Sequence, residues 1–505
     1  MMLTLYKQNR YMLAFFPLLI IALAACSART PVSTIRAVTS TEPAPSSTAS
    51  VTPPLILTLT PTAPLLPTVI STQTPLEFPL SGIEIHAVEG LTLVSEAGAY
   101  WVRRNALLWS DVEPEPGLRK WDALKSLEQE LISIANQGMQ AILIVRSTPP
   151  WAQKLPGVYC GPVKAESLTA FASFMRDAVA RYSVPPYNVK YWELGNEPDI
   201  DPTFVAPDSV FGCWGDQKDT QYGGAYYAEM LKVVYPQVKI TDPQAQVLVG
   251  GLLMDCDPVN PPETTAGSGK YRDCTPSRFL EGILINRGGD FFDGVSFHAY
   301  DYYYSAFGQY GNPNWHSSWD TTGPVLINKE RYLKDLLLTH GYPGKFLMNT
   351  ENAILCGRDG TESTCQGDDY ARTKASYIAQ SFTVALAEGM QANVWFSLYG
   401  WRGSGLVSSS AQPFPAYQAY QFNANSLRLA VPGGGLTDYP GVRGYRFIRG
   451  PKTVWVLWSL DGSPHTIVFP SLPDAIYDIV GNPQSTAQEF TVTLSPVYVE
   501  WSQSP

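Results

Sequence analysis

The sequence predicts an α/β protein, a (β/α)8 TIM barrel followed by a small C-terminal β-sandwich. From about residue 80 onward, eight short apolar runs alternate with helical patterns, and eight parallel strands are the number that closes such a barrel. After about Leu427 the pattern changes to short strands separated by Gly, Pro, Asn and Asp, without helical patterns between them. This change predicts the sandwich.

The eight apolar runs mostly lack a strict alternation of apolar and polar residues, as expected of strands buried on both faces. Three examples are "QAILIV", "VKYWEL" and "NVWFSLY". In chain order the runs cover residues 82–88, 99–104, 140–145, 189–194, 246–252, 293–300, 345–351 and 393–399.

Helical patterns lie between these runs. One is "WDALKSLEQELISIANQG", in which Gly138 is placed as a C-terminal stop, and another is "YARTKASYIAQSFTVALAEG". A doubly wound sheet is the alternative for alternating strands and helices, but no glycine-rich phosphate turn supports it.

The first 26 residues have the features of a secretory signal. Lys7 and Arg10 precede the short apolar run "YMLAFFPLLIIALAA", and Cys26 follows it. The tetrapeptide "LAAC" resembles a bacterial lipobox, which implies that Cys26 is lipidated and anchors an exported protein at the bacterial membrane or cell surface. The alternative is an ordinary signal peptide cut nearby.

A stretch rich in Pro, Thr, Ser and Ala follows the signal, and such a composition cannot bury enough apolar surface to fold. We therefore expect a disordered stalk. The predicted organisation is a signal peptide at 1–26, a linker at 27–78, the barrel at 79–425 and the sandwich at 426–505.

Charge and composition exclude some functions. The net charge is −10, and no basic tract offsets it, which argues against a nucleic-acid partner. Aromatic residues make up 12% of the chain, and they serve as core or as platforms for sugars. The lipid anchor is the only membrane contact that we predict.

Six cysteines remain if Cys26 is lipidated. An even number in an exported chain favours disulfides over metal sites, and the spacing lacks the close pairs of a zinc site. Neighbours in the chain suggest Cys256 with Cys274 and Cys356 with Cys365, which leaves Cys160 with Cys213. Six cysteines allow 15 pairings, so other connectivities stay open.

Two glutamates follow strands of the predicted barrel. Glu197 lies in "LGNEPD" after the fourth run, and Glu351 lies in "MNTENAI" at the end of the seventh. Because the active site of such a barrel lies at the carboxyl ends of the strands, the two side chains would face each other across its mouth. At about 5–5.5 Å apart, one carboxylate attacks an anomeric carbon and the other protonates the leaving oxygen, whereas a wider gap serves inversion. Salt bridges or loop caps are the structural alternative.

At these residues the chain resembles the retaining glycoside hydrolases of clan A, most closely family 39 with its β-xylosidases. "LGNEP" is the most specific element. The resemblance extends over roughly residues 80–420 and includes "YWVRRNALLWSDVEPEPGLRKWD", "STPPWA", "SFHAY" and the ending "SPVYVEW".

The resemblance implies a role for each matching residue. Glu197 would be the general acid/base and Glu351 the nucleophile. Asn196 would bind the 2-hydroxyl of the sugar. Arg103 would keep Glu351 ionised, and Tyr300 would donate a hydrogen bond to the same carboxylate.

Further residues would line the pocket. His298 follows from "SFHAY", and Trp395 matches the sugar-platform tryptophan of the clan. Barrel core is the alternative for Trp395. Trp151 and Trp401 are looser candidates for sugar subsites, and Arg104 beside Arg103 leaves the strand phase ambiguous by one residue.

We therefore expect a surface-anchored retaining glycosidase that acts on a poly- or oligosaccharide and needs no metal or organic cofactor. Alternatives on the same barrel are endo-glucanase, endo-mannanase or arabinofuranosidase specificity and transglycosylation. An inactive carbohydrate-binding lipoprotein is the alternative of another class. The sequence does not define the sugar, the exo or endo mode, or the oligomeric state.

Overall fold

The computed structural model describes residues 76–86, 88–263, 274–320 and 322–502. The predicted signal peptide with Cys26, and all but the last residues of the predicted linker, lie outside the described residues. Among the described residues, no helix combines the length and apolarity needed to cross a bilayer.

Eight parallel strands form a closed barrel, which confirms the predicted fold. Each strand pairs with the next along the barrel, and the last pairs with the first. The barrel strands are β1 (Ser81–Glu84), β2 (Trp101–Leu108), β3 (Gln140–Arg146), β4 (Tyr191–Asn196), β5 (Gln246–Leu252), β6 (Gly294–Tyr303), β9 (Phe346–Leu355) and β10 (Ala392–Trp395).

Helices cover the outside of the barrel and pack on the outward-facing side chains of the strands. Gly138 follows the third helix with a φ of 70°, a left-handed value that favours glycine and ends the helix there. The helices are α1 (Leu91–Glu96), α2 (Trp109–Val112), α3 (Lys125–Asn136), α4 (Leu168–Tyr182), α5 (Gly224–Thr241), α6 (Phe279–Ile285), α7 (Leu326–Thr339), α8 (Asp368–Ala387) and α9 (Pro415–Ser426).

The barrel interior contains a separate layer of apolar side chains at the end where the strands begin. These side chains come from different strands and point at one another, so they fill the barrel as a core. The layer consists of Trp101, Ile142, Tyr191, Leu248, Met348, Ala392 and Val394. Toward the carboxyl ends of the strands, the side chains that point into the barrel are mostly polar.

A short antiparallel extension, which the sequence pattern did not predict, follows the sixth barrel strand. The strands β7 (Tyr310–Asn312) and β8 (Ser317–Ser318) pair beside the end of β6. Buried Asp301 holds this extension, because its carboxylate accepts hydrogen bonds from Ser317 Oγ and from the backbone N–H of Val325, both at 2.8 Å.

Antiparallel strands form the C-terminal β-sandwich that the sequence predicted. Six strands make one sheet, in the order β11, β12, β13, β18, β15, β16, and β14 and β17 make a second. The strands are β11 (Val431–Leu436), β12 (Val442–Arg449), β13 (Lys452–Ser459), β14 (His465–Val468), β15 (Ala475–Tyr477), β16 (Pro483–Gln484), β17 (Glu489–Val492) and β18 (Val497–Trp501).

Helix α8 lies between the barrel and the sandwich and is buried over most of its length. Asn423 on α9 connects α8 to the sandwich. Its side-chain amide donates to Thr383 Oγ1 on α8 at 3.2 Å and to the Tyr498 hydroxyl on β18 at 2.7 Å. Gln380 of the same helix donates to the Leu494 carbonyl at 3.5 Å. Both sides of α8 are therefore in contact with protein.

Three disulfides join the pairs expected from the sequence. Cys256 pairs with Cys274 and Cys356 with Cys365, each within one loop. The third, Cys160–Cys213, connects the loop after β3 to the loop after β4. The loops above the carboxyl ends of the strands are thus covalently tied.

Candidate active site

The three acids of "WELGNEPD" have separate positions at the end of β4. Glu193 points into the barrel and is fully buried. Gly195, with a φ of 91°, begins a turn that carries Glu197, itself at a φ of 51°, to the rim. The Asp199 carboxylate accepts hydrogen bonds from the backbone N–H groups of Leu253 and Met254 at 2.9 and 2.8 Å, so it fastens the loop to the end of β5.

Glu351 reaches the mouth because β9 is irregular. Met348 faces the barrel interior, so plain alternation would point Thr350 inward. The pairing with β6 shifts there, since Phe297 pairs with Asn349 but His298 pairs with Glu351. This bulge turns Glu351 toward the mouth, a use of bulges that is common next to active sites.

Arg103 is the buried centre of the site. Its guanidinium donates to Glu193 at 2.5 Å, to Glu84 at 2.7 Å, to the Asn196 side-chain oxygen at 2.7 Å, and to Glu351. Burial alone would lower the pKa of Arg103, but the three carboxylates hold it above its ordinary value. One permanent cation therefore offsets three acids.

The neighbouring arginine has a different role. Arg104 points away from the mouth and donates to Glu130 on α3 at 2.5 Å. The strand phase that the sequence left ambiguous is thus settled, with Arg103 inside the barrel and Arg104 outside.

His298 lies between the two glutamates. Its Nδ1 is 2.8 Å from Glu197 Oε1, and its Nε2 is 3.5 Å from Glu351 Oε1. Burial lowers the pKa of His298 well below its ordinary value, and the positive charges of Arg103 and Lys329 act in the same direction. The imidazole is therefore neutral at physiological pH.

The surroundings of His298 fix its position. Lys329 on α7 donates to the His298 carbonyl at 2.8 Å and to the Leu253 carbonyl at 2.6 Å. On the other side, a Cβ at Gly251 would collide with the imidazole, so β5 needs glycine at this point.

The two glutamates have different hydrogen-bond partners. Glu351 accepts from Arg103 and from the Tyr300 hydroxyl, and both donors stabilise its ionised form. Among the described residues, the neutral His298 is the one side chain that forms a hydrogen bond with Glu197. One carboxylate oxygen of Glu197 and one of Glu351 lie within 4.8 Å of each other.

The environment gives the carboxyl groups of Glu197 and Glu351 different pKa values. Burial raises the pKa of Glu351 to about 7, although Arg103 acts in the opposite direction. Burial and then the negative charges of Glu351 and Asp199 raise the pKa of Glu197 well above its ordinary value. Glu197 therefore keeps its proton at a pH where Glu351 has lost its own.

Glu197, His298 and Glu351 also have the donor types and spacing of a metal site, since one ligand atom of each lies within 4.8 Å of the others. Arg103 donates to the same Glu351 oxygen that would face an ion. A metal ion would have to displace this guanidinium, so the arrangement fits proton transfer better.

The position of Trp395 does not fit the sugar platform expected from the sequence. Its side chain is fully buried, points outward, and donates from Nε1 to the Ser404 carbonyl at 2.9 Å. Ala392 and Val394 of the same strand face the interior, so alternation directs Trp395 away from the mouth and the next residue, Phe396, toward it.

Phe396 is thus an aromatic residue of the mouth that the sequence analysis missed. Its ring is partly exposed and makes edge contacts with the rings of Tyr300, His86 and Trp401, at centroid distances of 6.1, 5.8 and 6.4 Å. Trp401 is 43% exposed at this edge of the mouth. In the sequence, Phe396 lies an even number of residues after Ala392 and Val394, which face the barrel interior. This spacing could have predicted that Phe396 faces the mouth.

Trp151 is half-buried in the loop after β3. Its Nε1 donates to the Glu113 carbonyl at 3.0 Å, and its ring packs edge-on against Trp109 with centroids 5.3 Å apart. These contacts hold the loops after β2 and β3 together. Its role in sugar binding stays a prediction.

Comparison with solved structures finds proteins that share this fold. No protein-family model matches the chain, and no curated protein sequence matches it. A family 39 glycoside hydrolase from the gut symbiont Bacteroides cellulosilyticus WH2 superposes with a TM-score of 0.60 at 21% identity, over 84% of this chain and 81% of that chain.

Two further solved structures share the fold. The catalytic domain of the family 30 xylanase C from Talaromyces cellulolyticus has a TM-score of 0.54 at 14% identity, over 85% of this chain and 98% of that chain. The family 51 α-L-arabinofuranosidase AbfB from Bifidobacterium longum has a TM-score of 0.52 at 14% identity, over 85% and 97%. At such identities the likeness establishes the fold that the sequence resemblance implied.

Proposed function

We propose that this protein is a retaining glycoside hydrolase that cleaves O-glycosidic bonds of poly- or oligosaccharides. The observation that supports it most is the pair of Glu197 and Glu351, with carboxylate oxygens within 4.8 Å of each other. Retaining enzymes hold their two carboxyl groups about 5–5.5 Å apart, whereas inverting enzymes leave about 6.5–9.5 Å for a water molecule. The short separation favours retention.

In the first step, the ionised Glu351 attacks the anomeric carbon, and Glu197 gives its proton to the oxygen of the leaving group. Arg103 and Tyr300 hold Glu351 in place and keep it charged. The bond from the anomeric carbon to the leaving oxygen breaks as the ester to Glu351 forms.

In the second step, Glu197 is ionised and takes a proton from water, which attacks the anomeric carbon and releases Glu351. The neutral His298 lies 2.8 Å from Glu197, and its Nδ1 can accept from the protonated acid or, in the other tautomer, donate to the carboxylate. A sugar hydroxyl in place of water would give transglycosylation by the same route.

Asn196 is placed to bind the sugar. Its side-chain oxygen already accepts from Arg103, which fixes the amide so that its N–H groups are left to donate. A hydrogen bond to the 2-hydroxyl would strengthen as charge develops on the ring in the transition state. Phe396 and Trp401 offer apolar faces at another edge of the mouth, where the ring of Phe396 contacts Tyr300.

Solved structures with this fold include a family 39 glycoside hydrolase, a family 30 xylanase and a family 51 α-L-arabinofuranosidase. These likenesses support the reaction class of a glycosidase. The three disulfides are typical of exported proteins, which agrees with a glycan substrate outside the cell.

The lipid anchor at Cys26 belongs to the same proposal. In a bacterial host, Cys26→Ser should move the protein from the membrane fraction to a soluble one. Unchanged membrane retention of the variant would exclude the anchor.

The activity is tested with the soluble fragment 79–505 on a panel of aryl glycosides and dye-labelled polysaccharides. Glu351→Gln and Glu197→Gln keep the volume of each side chain and remove its chemistry, and Glu229→Gln on the outer surface of α5 is the control. We expect turnover in the wild type and the control and loss of at least about a thousandfold in Glu351→Gln.

The stereochemistry of the first product separates the mechanisms. Proton NMR of a fresh reaction should show the anomer of the substrate first, and the opposite anomer would exclude double displacement. Glycan binding without turnover by the wild type would instead indicate the inactive carbohydrate-binding protein.

A further inference from the structure

Arg146, at the carboxyl end of β3, is an arginine at the mouth that the proposed mechanism does not use. Ile142 of this strand belongs to the barrel interior, while Leu143 and Val145 pack outward against the helices. Alternation therefore points Arg146 inward. Ile144, one layer below it, pairs with Glu193 of β4.

This register gives the level of the Arg146 backbone relative to the acid. Strands β3 and β4 are neighbours, and adjacent strands lie about 4.8 Å apart. Because Arg146 lies two residues beyond Ile144, it is level with the turn that carries Asn196 and Glu197. The bond from its Nε to Asn105 of β2 directs the guanidinium toward the β2 side of the mouth, away from β4.

Arg146 has one hydrogen-bond partner among the described residues. Its Nε donates to Asn105 Oδ1 at 2.6 Å, and the Asn105 amide in turn donates to the Val210 carbonyl of the loop after β4 at 3.4 Å. Asn105 thus fixes the direction of the guanidinium. The Nη1 and Nη2 groups keep four N–H donors for which the described protein supplies no acceptor.

Arg146 also forms no ion pair within the described part of the chain. Burial lowers its pKa to about 10, and the more distant Asp111 opposes this only in part. Arg103 and Arg104, by contrast, each contact a carboxylate directly. A half-buried guanidinium without an anion is costly, because its charge is only partly solvated.

We propose, building on the glycosidase activity, that Arg146 forms an anion-binding subsite and that the substrate is a glycan with an anionic group on a sugar that binds at the β2 side of the mouth. The free N–H groups form a planar fork that matches two oxygens of one oxyanion. A uronate carboxylate and a sulfate ester both present such oxygens.

Local recognition of this kind is needed because the chain has a net charge of −10, which does not attract an acidic glycan from a distance. The subsite acts only at contact, where bidentate hydrogen bonds to an anion are strong. The preference should therefore be visible in binding and should weaken with added salt.

Binding is measured by calorimetry with the full 79–505 fragment carrying Glu351→Gln, so that no turnover interferes. The uronate probes are glucuronoxylan and homogalacturonan oligosaccharides, each beside its carboxyl-reduced form. The sulfate probe is a carrageenan oligosaccharide, beside its desulfated form. We expect one anionic probe to bind about tenfold or more tightly than its neutral counterpart.

The variants assign this preference to one side chain. Arg146→Met keeps the apolar stem and should remove the preference, Arg146→Lys should retain part of it, and Arg176→Gln on the exposed side of α4 should leave it intact. Equal binding of every anionic probe and its neutral partner overturns the inference, and so does a preference that survives Arg146→Met.

The test separates the two proposals. Loss of the anion preference in Arg146→Met supports the subsite even if the wild type hydrolyses no glycan. Hydrolysis of neutral glycans at equal rates by wild type and Arg146→Met, without an anion preference, removes the subsite and leaves the hydrolase in place.

Discussion

The hydrogen bond from Tyr300 to Glu351 gives a prediction about pH dependence. Tyr300→Phe removes this donor and leaves Arg103 as the remaining side-chain hydrogen-bond donor to the carboxylate among the described residues. A hydrogen bond to the ionised form lowers a pKa, so its loss raises the pKa of Glu351 above the value of about 7 set mainly by burial.

The size of the shift follows from the strength of one bond. Hydrogen bonds to charged groups contribute about 1.5–3 kcal/mol, and one pKa unit corresponds to about 1.4 kcal/mol. The pKa of Glu351 should therefore rise by about 1 to 2 units. Because the nucleophile must be ionised, activity is lost as the pH falls through this pKa.

The assay is the pH profile of kcat/KM on the best aryl glycoside from the panel, from pH 4 to 10. The acidic limb of Tyr300→Phe should move to higher pH by about 1 to 2 units, while the basic limb, which reports Glu197, moves less. The two limbs belong to the coupled pair, so both are fitted together.

Tyr302→Phe is the matched control. Tyr302 lies two residues further along β6, and its hydroxyl makes no hydrogen bond within the described residues, while its ring faces Arg402 at 5.4 Å. Its acidic limb should stay where the wild type has it. An unshifted limb in Tyr300→Phe, or an equal shift in both variants, would refute the role given to the Tyr300 hydroxyl.

Two further predictions concern stability. Glu330 on α7 is fully buried beside Lys334, and burial raises its pKa to about 7 from an ordinary 4.5. Between these two pH values the folded state binds a proton that the unfolded state has lost. The free energy of unfolding therefore falls as the pH rises through this window. Glu330→Gln should therefore gain up to about 3 kcal/mol relative to wild type between pH 5 and pH 8 in urea unfolding, and a pH-independent difference would contradict this. Removing the disulfide of Cys160 and Cys213, 53 residues apart, should cost about 4 kcal/mol, against about 2.5 kcal/mol for the pair 9 residues apart in the 356–365 loop. Thermal unfolding of the two double alanine variants measures this order, and a reversed order would refute the loop-length argument.

The sequence predicted the parts of the fold that repeat. Eight buried runs, the helices between them and the change of pattern after Leu427 all have strong periodic signals, and the structure follows them. The extension of β7 and β8 was missed because its strands have three and two residues, too few to show a period.

In the candidate site, local irregularities of the strands make the alternation of side chains a wrong guide to which residues face the mouth. Glu351 reaches the mouth through a bulge, and alternation from Met348 would have selected Thr350 instead. The motif resemblance, which needs no phase, located this residue. The same resemblance selected Trp395 one residue too early, because the strand parity places Phe396 at the mouth.

Most contacts of Arg103 also could not be predicted from the sequence. The sequence named Glu351 as its neighbour, but Glu84 and Glu193 come from other strands of the barrel, and only the closed barrel brings them to one guanidinium. Arg146 gave no signal at all in the sequence. Within the described part of the chain it has no carboxylate partner, which only the three-dimensional arrangement reveals.

The burial of α8 on both sides affects how this protein can change over evolution. The sandwich covers part of the surface of α8, a helix of the barrel, and keeps it from solvent. The hydrogen bond of Asn423 with Tyr498 is one of the contacts on this side. Gene rearrangements that exchange the C-terminal segment would leave that helix with an exposed apolar face unless the new partner matched it. We expect the two parts to be inherited together, so that new specificity arises in the loops above the strands.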